Sequence, residues 1–484
     1  MQIAIVKNRS TLSITPADPV LGKLMGELMF NRVKPVYDFQ ARRAGKKVDI
    51  QRTELYSYDK DSDTLTTFAG FLTRVYDLIV SSGHEPVLSE INPKPYYEPK
   101  FENITGIDLR GAQVDMLSII CSYDYGQLNG VTGLGKSVLI QQVCRLYPYE
   151  DCRIVVCAQQ RPVVSALARG LNKYFPGNVG QMGGGSSTQK RITVSTAKSL
   201  KKINPEKIWM LLYDEVHTAA GEDVSNTLTR FCNAKMFGLS ASTECRTDKA
   251  DMLVEALFGP VRLTVGMLEG QQEGYIPPVS AHFYEFVTTE ASGGTPTARK
   301  RAAIWRNIPR NYALACIARH WESKYEDPQI LIMTDALEHV LYLKQQLPEY
   351  DIIFASCSKA QIEKFDELGI LPDDFEKMTD AKREKKIQAF ETGKLRKVIS
   401  TTTLGVGVDA PGLDVFIRAD GGSSEITNIQ FRGRVMRGDS GVYCDVLTQG
   451  DRNEEQRSRR RKKSAENAGW PVTTEPVPYE AINA

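Results

Sequence analysis

The chain has 484 residues, of which 61 are lysine or arginine and 59 aspartate or glutamate, giving a formal net charge of +2. With 42% hydrophobic and 25% charged residues it sits at globular averages, which excludes disorder, collagen-like sequence and coiled coil for its bulk. No global field marks a polyanion partner, so any such site is a local patch, and roughly 150 residues per domain predicts about three domains.

The amino terminus, MQIAIVKNRSTLSI, lacks the basic-then-apolar order of a signal peptide, and no apolar run approaches the ~18 residues of a spanning helix. A cytoplasmic protein without a membrane partner is expected. The nine cysteines form no paired C-x-x-C grid, which predicts buried thiols in a reducing compartment.

Residues 1–95 carry short alternating segments, QIAIVKNRSTLSI and KKVDIQRTELYSYDKDSDTLTTF, then the helix-like FLTRVYDLIVSSG. This predicts a small α+β domain. Closely spaced prolines in NPKPYYEPKFENITG (92–106) disfavour helix and central strand, so that stretch reads as a connector. From about 107 the texture changes. CRIVVCA (152–158), RITVST (191–196), KIWMLLYDE (207–215) and KMFGLSAS (235–242) read as strands buried on both faces of a parallel sheet. After the polar TTEASGGTPTARKR (288–301), a second series follows: QILIMTD, DIIFAS, KVISTT, LDVFIRAD and GVYCDVL, between 329 and 447. Two consecutive α/β domains are expected, over 107–280 and 281–450, with the boundary near 275–290 and a basic tail over 451–484. The mixed-charge DDFEKMTDAKREKK (373–386) reads as an exposed helix.

Gly130 to Ser137 spell GVTGLGKS, which fits G-x-x-x-x-G-K-[ST]. Gly130, Gly133 and Gly135 let the backbone wrap a phosphate with its N–H groups inward, and the loop opens the helix KSVLIQQVCRLY, whose dipole favours anions. Lys136 reaches the β- and γ-phosphates in such a loop, and the Ser137 hydroxyl holds Mg²⁺. The acidic partner lies at the end of an apolar strand, IWMLLYDEVH. There Asp214 is the candidate to bind Mg²⁺ through its water shell and Glu215 the group that orients and deprotonates the attacking water. The cofactors expected are ATP and Mg²⁺.

GVTGLGKS, DEVH, GLSAS (238–242), TTTLGVGVDAP (401–411) and QFRGRVMR (430–437) resemble motifs I, II, III, V and VI of the superfamily 2 helicases, in that family's order. Within it the chain is most similar to the phage UvsW-type and XPB-type branch with a DEVH box. The supporting segments are LRGAQVDML, QMGGGSSTQKRITVSTAKSL and ILIMTDALEHVLYL, together with the amino-terminal domain. The resemblance implies an α/β fold of two tandem RecA-like parallel-sheet domains preceded by the small α+β domain.

It also implies site residues. Gln113 with Arg110 matches the position that reads the adenine edge; a helix surface pair is the alternative reading. His217, Ser240 and Ser242 match positions that couple hydrolysis to nucleic-acid grip, although His217 also suits a satisfied polar histidine beside a strand end. Gln430, Arg434 and Arg437 match Q-x-x-G-R-x-x-R, whose arginines act on the γ-phosphate, where developing charge needs guanidinium neutralisation. For these arginines a solvated helix face is the bland reading. Gly407 and Asp409 match motif V. Thr196, Ser199 and Thr401 would hold backbone phosphates, contacts that carry no base information. Gln160 and Arg161, candidate contacts to the nucleic-acid backbone, stand where relatives have P-T-R-x-L, and QQRPVVSAL departs from that pattern.

Three features stay open. The run from Arg457 to Lys463 is either a phosphate contact or a solvated face balanced by Glu454 and Glu455, and the triplet Arg299, Lys300, Arg301 reads best as a flexible loop. Tyr56, Tyr58 and Phe68 either fill a core or stack on bases. The function expected is an ATP-dependent DNA helicase or translocase, favoured as a monomer, acting on branched or duplex DNA by shape and located in the host cell if phage-encoded. The rivals are an RNA helicase, the motor of a restriction-like system, and a nucleotide-gated nucleic-acid-binding protein with little turnover.

Overall fold

The computed structural model describes residues 1–35, 48–131, 133–159, 161–183, 185–240, 250–291, 294–402, 413–423 and 441–482. These fall into two compact units, Met1–Gly130 with Gly135–Val265, and Val131–Leu134 with Gly266–Ala484. No helix among the described residues is long and apolar enough to cross a membrane, and their eight cysteines are all unpaired.

In the first unit, strands β1 (Gln2–Asn8) and β2 (Thr11–Thr15) alternate buried and outward residues, so Ile3, Ile5, Leu12 and Ile14 share one face. A separate antiparallel ribbon, β3 (Met29–Pro35) with β4 (Val48–Glu54), interrupts the chain. Then β5 (Tyr56–Asp59), β6 (Thr64–Phe68) and β7 (Glu85–Ile91) complete a five-stranded sheet in the order β5-β6-β2-β1-β7. Helix Leu72–Ser81 buries Val75 and Ile79 against the same core. Tyr56, Tyr58 and Phe68 are partly buried and packed on it, which favours the core reading.

An eight-stranded sheet follows, built from β8 (Tyr125–Gly130), β9 (Ile154–Ala158), β10 (Val179–Gly183), β11 (Ser186–Ser187), β12 (Ile192–Thr196), β13 (Met210–Asp214), β14 (Lys235–Ser240) and β15 (Val261–Val265). Its order is β11-β10-β12-β9-β13-β14-β8-β15, and only the short β10–β11 pair is antiparallel. Every residue of β8, β9, β12 and β14 is buried, as expected for strands covered on both faces. The glycine-rich YGQLNG is thus a full internal strand.

One hydrophobic core runs from the amino-terminal sheet into this second sheet, joining Phe71 and Val75 to Leu257 and Phe258. The proline-rich connector lies along it, with a single 3-10 turn at Phe101–Asn103. Trp209 Nε1 donates to the Pro95 carbonyl at 2.7 Å, and Lys94 Nζ donates to the Ala234 carbonyl and the Tyr125 hydroxyl, each at 2.7 Å. Burial lowers the Lys94 ammonium to about 7.

The second unit holds a seven-stranded, all-parallel sheet: β16 (Val279–Val287), β17 (Ile330–Met333), β18 (Asp351–Ile353), β19 (Lys397–Ser400), β20 (Val415–Arg418), β21 (Gly441–Gln449) and β22 (Val472–Pro476). The order is β18-β19-β17-β20-β21-β16-β22.

Three expectations are corrected in this unit. Through residue 482 the expected tail from 451 is folded: helix Arg452–Asn467 packs on β21, and β22 pairs with β16. Asp451 starts that helix by accepting the Asn453 and Glu454 N–H groups at 3.0 Å each, and its inner stripe of Glu454, Ser458, Arg461 and Ser464 is polar, which hid the helix from hydropathy. The triplet at 299–301 is helical rather than a loop. Thr295 caps helix Pro296–Lys300 with proline at its start, Lys300 pairs with Asp335, and Arg301 Nε meets Glu338 at 3.0 Å. Within 373–386, helix begins only at Asp380, where Thr379 accepts the Lys382 N–H.

Candidate active site

In a parallel sheet the carboxyl ends of the strands collect the loops that bind ligands. Here β8 ends at Gly130, β13 at Asp214 and β14 at Ser240, three strands adjacent in the order β13-β14-β8. Gly133 (φ 92°) and Gly135 (φ 89°) adopt left-handed backbone, which glycine alone enters freely. A Cβ on Gly135 would also lie 2.5 Å from the Gln113 side-chain nitrogen.

Lys136 and Ser137 open helix Lys136–Leu146, with Lys136 Nζ donating to the Gly130 carbonyl at 2.9 Å. Gln113 is buried at 4% exposure. Its Oε1 accepts the Arg110 N–H at 3.0 Å and its Nε2 reaches the Gly135 carbonyl at 3.5 Å. Gln113, in the first turn of helix Gly111–Ser122, therefore touches the phosphate loop instead of lying on the helix surface.

Burial pushes the Asp214 carboxyl up to about 6, helped by the neighbouring Glu215 charge and opposed by Lys136. Glu215 sits at φ 55°, ψ 57°, left-handed for a residue with a side chain, a strain of about 1–3 kcal/mol that surrounding contacts must hold in place. Thr218 contributes twice, its N–H and its hydroxyl each donating to the Glu215 carbonyl at 2.9 Å. Glu215 Oε2 lies 3.4 Å from His217 Nδ1 and accepts the Ser240 hydroxyl at 3.4 Å, while His217 Nδ1 is 3.3 Å from Ser240 Oγ. Three residues expected to act together are thus in one cluster.

Sequence reading missed what seats this cluster. A Cβ on Gly238 would come within 2.4 Å of Val216 Cγ2, so the β14 backbone accepts the Val216 side chain only because position 238 is glycine. GLSAS was read for its serines, and the glycine has its own steric reason.

Among the candidate nucleic-acid contacts, Arg161 is the exposed first residue of helix Arg161–Tyr174. Thr196 Oγ1 donates to Ser199 Oγ at 2.8 Å at the end of β12, and both hydroxyls face Gly183, whose Cβ would be 2.8 and 2.9 Å from them. Thr401 is buried in the second unit, its N–H donating to the Ile353 carbonyl at 3.2 Å. Gln160, Ser242, Gly407, Asp409, Gln430, Arg434 and Arg437 lie outside the described residues.

The basic run resolves residue by residue. Arg457 pairs with Glu454 and Arg459 with Glu455, at 2.6 and 2.5 Å. Arg461 is buried on Asp445, whereas Arg460 and Lys463 are exposed.

The family profile of the type III restriction enzyme res subunit matches residues 107–244, and that of the helicase conserved C-terminal domain matches 320–439. The DNA 3'-5' translocase XPB2 of Sulfurisphaera tokodaii is 24% identical over 380 residues, covering 74% of this chain and 85% of its own. S. cerevisiae Dbp5 bound to RNA and ADP BeF3 gives a TM-score of 0.51 at 13% identity, over 75% of this chain and 90% of Dbp5, which shows a common RecA-like fold. T4 UvsW is covered to 99%, as is this chain, at 17% identity and a TM-score of 0.43.

Proposed function

This chain belongs to the superfamily 2 helicases, ATP-hydrolysing enzymes that act on nucleic acid, and from that premise we propose that it is a DNA translocase working on branched or duplex DNA. The observation that carries the DNA reading is the 380-residue alignment with a DNA translocase, which covers 74% of this chain and 85% of that protein.

In this proposal Lys136 binds the β- and γ-phosphates and Gln113 the adenine edge. Glu215 orients the attacking water, its placement tuned by His217 and Ser240. As the water oxygen bonds to the γ-phosphorus, its proton passes to the Glu215 carboxylate. The bond to the bridging oxygen breaks, and ADP leaves with the electron pair. Arg434 and Arg437 offset charge on the transferring phosphoryl group, with Gln430 in the same motif.

Mg²⁺ fits the donor set, because Ser137 offers a hydroxyl and Asp214 a half-buried carboxylate, both hard oxygen ligands. When bound it neutralises phosphate oxygens. Asp214 with a carboxyl near 6 must lose its proton to take this role. The Mg²⁺ concentration for half-maximal ATPase is therefore expected to be steady above pH 7 and to rise about tenfold per pH unit below 6. An equal Mg²⁺ requirement at pH 7.5 and 5.5 would contradict that assignment.

The substrate class is tested with labelled four-way junctions, DNA forks and RNA duplexes. The proposal expects ATP-dependent rearrangement of the DNA substrates, lost in Lys136→Ala. ATP-dependent opening of RNA duplexes alone would replace it with RNA remodelling.

A further inference from the structure

The turn Val216–Ala220, which follows Glu215, is held by more than the nucleotide-site motifs. Arg32, on the β3–β4 ribbon of the amino-terminal domain, donates Nη2 to the Ala220 carbonyl at 2.8 Å. Helix Asp251–Phe258 packs directly on the turn. Its Glu255 receives Arg74 of the amino-terminal domain through two bonds, Nε to Oε1 at 3.0 Å and Nη2 to Oε2 at 2.6 Å. The remaining Arg74 nitrogen meets Glu27 at 3.0 Å.

Beside this pair Gly70 lies so close to the helix that a Cβ there would fall 2.4 Å from the carbonyl oxygens of Glu255 and Ala256. Phe30, Arg74, Val216, His217 and Glu255 wall one cavity of about 500 Å³.

We propose that Arg32 and Arg74 are positioning residues for ATP hydrolysis, fixing the 216–220 turn, and through it Glu215, from a domain that carries no nucleotide-binding motif. Three observations combine. Left-handed backbone at Glu215 persists only where its surroundings over-determine it. A two-bond arginine–carboxylate pair sets direction as well as distance, which a single contact does not. Arg74 and Glu255 are also partly withdrawn from water, at 31% and 18% side-chain exposure, so their attraction is less screened than that of a surface pair.

The inference rests on Glu215 serving the attacking water, because only then does a displaced turn lower the rate. The test uses the full chain carrying Arg74→Met, Arg74→Lys, Glu255→Gln, the exchanged pair Arg74→Glu with Glu255→Arg, and separately Arg32→Met. Each is measured for melting temperature, KM for ATP, kcat under saturating DNA, and the His217 imidazole resonance, assigned with His217→Asn. In Arg74→Met and Glu255→Gln we expect kcat to fall about 5- to 30-fold, as for a small misplacement of reacting groups, with KM within twofold and the resonance shifted. The exchanged pair recovers part of the loss, and Arg32→Met gives a smaller fall of the same kind.

A kcat within twofold of wild type in folded Arg74→Met overturns the proposal. So does a fall that vanishes once the unfolded fraction is subtracted. If the Arg74 variants fail to fold, Arg32→Met decides by the same criteria. Failure of the Glu215 assignment is seen separately, in Glu215→Gln retaining turnover, while the His217 resonance still reports whether the two arginines hold the turn.

Discussion

Glu215→Gln is expected to lower the maximal ATPase rate by about 10²–10⁴-fold, the range for removing a positioned general base, while ATP still binds. Glutamine keeps the size of the side chain and an oxygen for the Ser240 hydroxyl, now 3.4 Å from Glu215 Oε2, but cannot accept the proton of the attacking water. The backbone strain at φ 55° is unchanged, so stability should stay close to wild type. Single-turnover hydrolysis beside fluorescent-nucleotide binding separates the two effects. A rate within tenfold of wild type would remove Glu215 from the chemistry.

The largest loss of stability is expected at Arg461→Met, about 3–5 kcal/mol, the cost of stripping one partner from a buried ion pair. Arg461 and Asp445 are 2% and 1% exposed, joined by Nε to Oδ2 at 2.7 Å and Nη2 to Oδ1 at 2.9 Å. Arg461 also donates Nη1 to the Gly422 carbonyl at 3.1 Å, where Arg418 Nη2 donates at 3.0 Å. Methionine would fill much of the volume yet remove both guanidinium bonds to Asp445, leaving it, among the described hydrogen bonds, the Tyr443 hydroxyl and the Val446 N–H. Exposed Arg460 is the control: Arg460→Met should change stability by no more than about 0.5 kcal/mol. Denaturant titrations of the two variants measure the contrast. Equal stability of both would show that the buried pair contributes nothing.

The same helix shows where sequence reading stops. RSRRRKK is one run of charge on paper, because composition does not say which face turns inward. In the structure Arg461 belongs to the interior while its neighbour Arg460 is exposed. The buried stripe it joins is polar, so no hydropathy period marked the segment as helix. Thr295 and Pro296 were a readable helix start hidden in a stretch that looked like a loop.

The nucleotide site was far more legible. Its chemistry demands particular residue types at short spacing, as in GVTGLGKS, or at the end of an apolar strand, as in DEVH, and strands buried on both faces declare themselves as unbroken apolar runs. Contacts between distant segments leave no such trace. Arg74 and Glu255 are 181 residues apart, and neither sits in a recognisable motif. The close fit of Val216 over Gly238 joins two motifs that were read one at a time, and only the three-dimensional pairing of β13 with β14 shows why the glycine is needed.

In the reading proposed above, this chain is a motor whose ATP turnover is driven by DNA. Steady-state ATPase of the full chain with single-stranded DNA, blunt duplex, a four-way junction and RNA, with Lys136→Ala subtracted as background, tests it most directly. Strong stimulation by the junction or the duplex, absent in Lys136→Ala, is expected. Turnover that no polymer stimulates, or that RNA alone stimulates, would contradict it.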